Sequence, residues 1–177
     1  VQDFNYLKKL DTDNIFRNRE EKIIIPNQIF NQKDVQFLNK KKILIIGSSH
    51  SSMSLIDLIL KHKIDYKAIN IYSRNKFKVF FPSEKDSKIA NFSFNKDDIC
   101  SETGYINRFD GLRENSKNIY LNIEKYKNIN LTNNLNEIDL NDIDYIFPCW
   151  GNFKIIPKIN KKNSNNIDSN ENFELIL

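Results

Sequence analysis

The chain has 177 residues, 40% of them hydrophobic, and its 27 basic and 23 acidic side chains give a formal charge of +4. That length suits one globular domain with flanking segments, and the charge is spread along the chain rather than gathered into a nucleic-acid-binding patch. No apolar run approaches the ~20 residues that span a bilayer, and the first residues show neither a signal-peptide core nor a transit-peptide composition, so a cytosolic protein without membrane or nucleic-acid partners is expected.

Residues 1–39 alternate charged and short apolar stretches, and "EKIIIPNQIFNQKDVQFLN" reads as an extended connector bent at Pro26. The run Lys40, Lys41, Lys42 is the solvated lead-in to a strand. Ile43 to Ile46 are continuously apolar, the pattern of a central parallel strand covered on both faces. From Ser51 to His62, Leu55, Leu58 and Ile59, with Ile56 and Leu60 beside them, predict a helix packed on a sheet, and the serines at its start can cap free N–H groups. "AINIYSR", residues 68–74, reads as a second strand. Residues 41–74 therefore form a β-α-β unit, which favours parallel pairing.

Residues 75–110 are rich in aromatic side chains without a clear period and read as a long excursion from the sheet. Leu112, Ile119, Tyr120, Ile123 and Tyr126 recur at helical spacing and predict an amphipathic helix over 111–127. "INLTN" follows as a short strand, and "IDYIFPCW" (143–150) is another apolar run, bounded by Pro148 and Gly151. The stretch "NKKNSNNIDSNEN" is of low complexity, and the closing "FELIL" is suited to an edge strand. The expected organisation is a connector over 1–39, a Rossmann-like α/β domain with a parallel sheet and flanking helices over 40–157, and a tail over 158–177.

Only four glycines occur, Gly47, Gly104, Gly111 and Gly151, so each is a candidate for a place where the backbone needs φ > 0 or close approach. Gly47 stands between a strand and a helix, where a dinucleotide fingerprint would read G-x-G-x-x-G. The first glycine makes the turn, the second admits the pyrophosphate, and the third lets helix and strand pack closely. Here the positions are Gly47, Ser49 and Ser52. Serine at the second position keeps its N–H and adds a hydroxyl, in slightly less room. Together with Ser48, His50 and Ser51, these residues sit at a helix N-terminus, whose free N–H groups and positive dipole end favour phosphate. His50 either donates to a phosphate or merely caps a neighbour or faces solvent. No GK[ST] follows, which excludes a P-loop.

At the end of the second strand an acidic residue would suit a ribose hydroxyl, whereas an arginine suits a 2′-phosphate. Ser73 and Arg74 occupy that place and favour NADP(H) over NAD(H), set against an ordinary exposed arginine at a strand end. Cys100 and Cys149 lie in no CxxC or Cys/His spacing, so no metal site is expected and both read as buried free thiols. No residue stands out as a catalytic acid or base.

"ILIIGSSHSSMSLIDLIL", "IYSR", "GYINRFDGLRENSKNIYLNIEKY" and "DYIFPCWGNFKIIPKI", in that order, resemble the pyridine-nucleotide domain of two-dinucleotide-domain FAD/NAD(P)-binding oxidoreductases, distantly similar to flavin-containing and N-hydroxylating monooxygenases. The resemblance covers roughly residues 20–160 and rests on the order of its motifs. It implies that Gly47, Ser49, His50 and Ser52 receive the NAD(P)H pyrophosphate and that Arg74 lies by the adenosine ribose. It also implies that Gly151, in "PCWG", matches a glycine where the chain returns beside the flavin. Cys149 and Trp150 depart from the small residues usual there.

Such flavoproteins carry an N-terminal FAD fingerprint, and no glycine precedes Gly47. The resemblance therefore implies the inserted NAD(P)H-binding portion of a flavin-dependent oxidoreductase, its FAD coming from another domain or chain. The alternative is a degenerate Rossmann module acting as a non-catalytic binding or scaffold domain. A methyltransferase using S-adenosylmethionine is a weaker third reading, because Arg74 stands where that idea would want an acid.

Overall fold

In the computed structural model, which describes residues 11, 13–31 and 34–150, four strands form one sheet in the order β3-β2-β1-β4. They are β1 (Lys42–Ile46), β2 (Ala68–Tyr72), β3 (Ile129–Thr132) and β4 (Tyr145–Pro148), and every pairing is parallel. Ile45 of β1 stands opposite Ile71 of β2 and Phe147 of β4, and Ile71 stands opposite Leu131 of β3. Helices flank the sheet: α1 (Pro26–Phe30), α2 (His50–Lys61), α3 (Glu84–Ile89) and α4 (Glu114–Leu121). This is an α/β, Rossmann-like fold.

Successive strand residues point to opposite faces, so β1 feeds two cores. Ile43 and Ile45 meet Met53, Leu55, Ile56 and Ile59 of α2 in the larger one, joined by Ile69, Ile71 and Phe147. Leu44 and Ile46 turn to the other face, where Ile15, Phe16, Ile138, Ile143 and Ile146 cover them. That double burial is why the strand shows no alternation. Toward β3 the second face becomes polar, and Asn130 Nδ2 donates to Asn70 Oδ1 at 3.3 Å.

The N-terminal flank differs from the extended connector expected for it. Pro26 opens α1, where its missing N–H is one that no helix would use, and the side chain of Gln28 accepts from the Ile25 N–H at 3.2 Å. Ile29, Val35 and Leu38 are fully buried in the α2-side core, whereas Ile15 and Phe16 cover the opposite face. Ile23 pairs with the outer edge of β4 through Ile146, whose carbonyl accepts from the Ile24 N–H at 2.9 Å. Ile15, Phe16, Ile29, Val35 and Leu38 of this flank are thus core residues of the sheet.

Residues 75–110 leave the sheet, as expected, and hold a core of their own. Val79, Phe81 and Ile106 are buried there, with Phe92, Phe94 and Ile99 packed around them. Isolated bridges join Phe81 to Ile106, Ile99 to Ile106 and Val79 to Leu112. The last of these shortens the helix predicted over 111–127. Leu112 donates to Lys78 O at 2.8 Å and accepts from Phe80 N at 3.0 Å, so its backbone is committed to an extended pairing and α4 begins only at Glu114. After Leu121 the chain passes into a separate 3-10 turn at Ile123–Lys125.

Among the described residues no helix is long and apolar enough to cross a membrane. The expected tail over 158–177 and its closing strand lie outside the described residues.

Candidate functional site

The strand order places a topological switch point between β1 and β4. From β1 the chain steps outward to β2 and β3, then returns to the other side of β1. A crevice opens beyond the carboxyl ends of two such strands, and ligands of open α/β sheets bind in that position. The turn after β1 lies there. Gly47 has φ +119°, and its N–H donates to the Tyr72 carbonyl at the end of β2 at 2.8 Å. A Cβ at Gly47 would strike the Cys149 carbonyl, lying 2.8 Å from its carbon and 3.2 Å from the Trp150 nitrogen. Gly47 is therefore required twice, by its dihedral and by the approach of β4.

The serines are oriented by the same approach. Ser49 is the N-cap of α2, yet its hydroxyl makes no capping bond. It donates instead to the Cys149 carbonyl at 2.7 Å. Ser52, fully buried, donates to the Gly47 carbonyl at 2.7 Å. Both hydroxyls thus tie the turn to itself and to the residue that follows β4. The third fingerprint position is fully buried against the turn, which suits a small side chain. Ser48 and Ser51 are half-buried beside them.

His50 begins α2, and its Nε2 lies 3.3 Å from the Gly111 carbonyl. A carbonyl only accepts, so Nε2 carries the proton. Apart from this neighbour contact the His50 side chain is exposed. It joins the turn to the end of the excursion, where Gly111 is itself buried and a Cβ would lie 2.5 Å from the Phe80 nitrogen. What α2 still presents is the backbone N–H groups of His50 and Ser51, at the positive end of a helix of 12 residues, since the Ser52 N–H donates to Ser49 O at 3.2 Å.

Ser73 and Arg74 follow β2 on the same edge of the sheet. Ser73 N donates to Thr132 O at 3.1 Å, and its hydroxyl donates to Asn75 O at 2.7 Å, which turns the chain at that point. Arg74 is exposed and close enough to Tyr72 for its charge to act on the phenol. Burial raises the Tyr72 pKa, the hydrogen bond to Asp13 adds to this, and Arg74 opposes it. Gly151 lies outside the described residues.

The two cysteines part ways. Cys149 is buried at the end of β4, where loss of solvent pushes its thiol up to about 12 against a weaker opposing hydrogen bond from Ser52. Cys100 is only half-buried, in the excursion, so the expectation of two buried thiols holds for Cys149 alone. Among the described residues no group of three or more His, Cys, Asp or Glu side chains is placed to hold a metal ion.

No protein-family model matches the chain, and no curated protein matches it. Among solved structures it is similar to the FAD-bound cadaverine monooxygenase of desferrioxamine biosynthesis from Erwinia amylovora, the fire blight pathogen, at 17% identity and a TM-score of 0.37. The match covers 66% of this chain and 31% of that one, so this chain spans less than two thirds of that protein's length.

Proposed function

We propose that this chain is the pyridine-nucleotide-binding portion of a flavin-dependent oxidoreductase, taking NADP(H) in preference to NAD(H) across the turn after β1. The observation that carries the proposal is the position of Gly47. A left-handed glycine turn followed by the N-terminus of α2 stands at the β1/β4 switch point, with Arg74 on the adjoining strand end. The motifs that resemble flavoprotein pyridine-nucleotide domains supply the rest.

The residues present fit a dinucleotide. Backbone N–H groups in the first turn of α2 would hold the pyrophosphate, and Arg74 would pair with a 2′-phosphate through its planar fork of donors. Bound reduced nicotinamide supplies a hydride to a flavin, and that flavin would be held by a domain or chain outside the residues described. The contribution of this chain is binding and orientation.

One observation favours the second reading, a non-catalytic Rossmann module. The Ser49 hydroxyl reaches across to β4, and with the Ser52 bond it fastens the turn without any ligand. Titration of the folded chain with NADPH and NADH, read by nucleotide fluorescence or heat, separates the two. Saturable binding that favours NADPH supports the first reading, and no binding of either nucleotide makes the scaffold reading the better one.

A further inference from the structure

Away from the switch point, a cavity of about 410 Å³ opens where the N-terminal flank meets the turn before β4. That volume is within the roughly 300–1,000 Å³ typical of small-molecule sites. Arg17, Arg19 and Lys22 line it, with Glu21 as the one carboxylate, and Asn141 lines it from the opposite segment. Asn141 lies before β4 and Cys149 after it, so the strand separates this cavity from the turn at Gly47.

Two of the cations are held by neutral groups. Arg19 Nη1 donates to Arg17 O at 3.0 Å and to Ile15 O at 3.5 Å, and its Nη2 donates to Asn141 Oδ1 at 3.1 Å. Lys22 Nζ donates to Ile143 O at 2.7 Å and to Asn141 O at 3.3 Å. Such acceptors orient a cation without cancelling its charge. By donor count Arg19 keeps two N–H groups and Lys22 one beyond those bonds. Arg17 is exposed, and among the described residues none of the three cations stands in an ion pair.

A separate observation concerns the uncharged lining. Asn14 and Asn18 border the same cavity, and their exposed side chains make no hydrogen bond among the described residues. Asn141 has its Oδ1 taken by Arg19, which leaves its Nδ2 to donate. Every lining residue is polar or charged. The cavity therefore combines surplus positive charge with amides able to meet hydroxyl groups, and it has no apolar wall for a nucleobase or an acyl chain.

We propose that this cavity binds a small sugar phosphomonoester, its phosphate held by Arg17, Arg19 and Lys22 and its hydroxyls by the asparagine amides. Three cations against one carboxylate leave two positive charges, which a phosphomonoester dianion balances. Arginine donors match phosphate oxygens in direction as well as in charge. Arg19 and Lys22 are already ordered by their protein partners, so less side-chain freedom is lost on binding.

The test is to titrate the folded, isotope-labelled chain with ribose 5-phosphate, inorganic phosphate and ribose, and to follow backbone amide shifts by NMR. The expected result is saturable binding of ribose 5-phosphate, weaker binding of inorganic phosphate and none of ribose, with shifts gathered at residues 14–22 and 141. Arg17→Gln should weaken ribose 5-phosphate about tenfold without moving Tm, and Arg17→Lys should recover part of the loss. Arg74→Ala, at the switch point, should leave this affinity unchanged. Absence of saturable binding, shifts confined to residues 47–52, or an affinity untouched by Arg17→Gln would each overturn the proposal. Equal affinity for inorganic phosphate would overturn it as well, because the cavity would then recognise an anion and no sugar.

Discussion

The hydroxyl of Ser49 donates to the carbonyl of Cys149 at 2.7 Å, across a sequence separation of 100 residues. This bond joins the start of α2 to the end of β4 over the crevice that a Rossmann-like sheet offers to a dinucleotide. Replacing Ser49 by glycine should cost about 1 kcal/mol of stability, or a few degrees of Tm, because one hydrogen bond is lost at a cap position that tolerates glycine. The same change opens the second fingerprint position, so NADPH affinity should rise several-fold in a titration. Unchanged or weaker binding would show that the pyrophosphate does not pass over Ser49.

Gly47 has less latitude. Its φ of +119° disfavours any side chain, and the atoms a Cβ would meet belong to the backbone of Cys149 and Trp150, which cannot swing aside. Gly47→Ala should destabilise the chain by more than about 2 kcal/mol, seen as a lower urea midpoint. A midpoint within error of the unaltered chain would mean that β1 and β4 yield easily. Loss of nucleotide binding by Gly47→Val would accordingly report on the fold as well as on the ligand, which makes Ser49→Gly the cleaner probe.

Arg74 is the residue on which the proposed preference for NADPH can be tested. If its guanidinium pairs with the 2′-phosphate, Arg74→Ala should weaken NADPH about tenfold, roughly 1.4 kcal/mol, and leave NADH nearly unchanged. Parallel titrations measure the ratio. Equal losses for both nucleotides would assign Arg74 to the strand end alone.

Asp144 ties the start of β1 to the segment before β4. The Lys42 N–H, donating to Oδ2 at 2.8 Å, is the main cause that holds its carboxyl below the usual aspartate range, with Lys41 adding to the effect at 3.2 Å. A carboxylate whose pKa is depressed by folding stabilises the native state above its unfolded value near 4, and that contribution is lost as the pH falls through the folded value. The carboxylate is 37% exposed, so solvent screening leaves it under about 1 kcal/mol. Asp144→Ala should lower the unfolding free energy read from urea titration by up to that amount at pH 7 and by less at pH 2, and an equal loss at both pH values would exclude the ionic origin.

Much of the architecture is written locally. The unbroken run Ile43 to Ile46 demands cover on two faces, and the helical spacing of Leu55, Ile56 and Ile59 supplies it on one. A glycine between that strand and that helix makes the turn, so the β-α-β unit can be read residue by residue. The sequence was less informative where a segment's role is set by distant partners. Pro26 is compatible with a bend or with the first turn of a helix, and burial of Ile29 against the sheet selects the helix. Leu112 fits the spacing of α4, but a backbone pairing with Val79 takes it first.

The side-chain chemistry was decided last. A serine hydroxyl beside a helix N-terminus has the same local options whether it meets a phosphate, an N–H group or a carbonyl. Only the return of β4 to the flank of β1 brings the Cys149 carbonyl to Ser49, and only the end of the excursion brings Gly111 to His50. By itself the sequence determined that a glycine turn would join a doubly covered strand to a packed helix, because hydrophobic periodicity and glycine's φ freedom are local properties. The tertiary structure decided what that turn touches and which cysteine reaches solvent, because hydrogen-bond partners and burial depend on chain segments 100 residues or more apart.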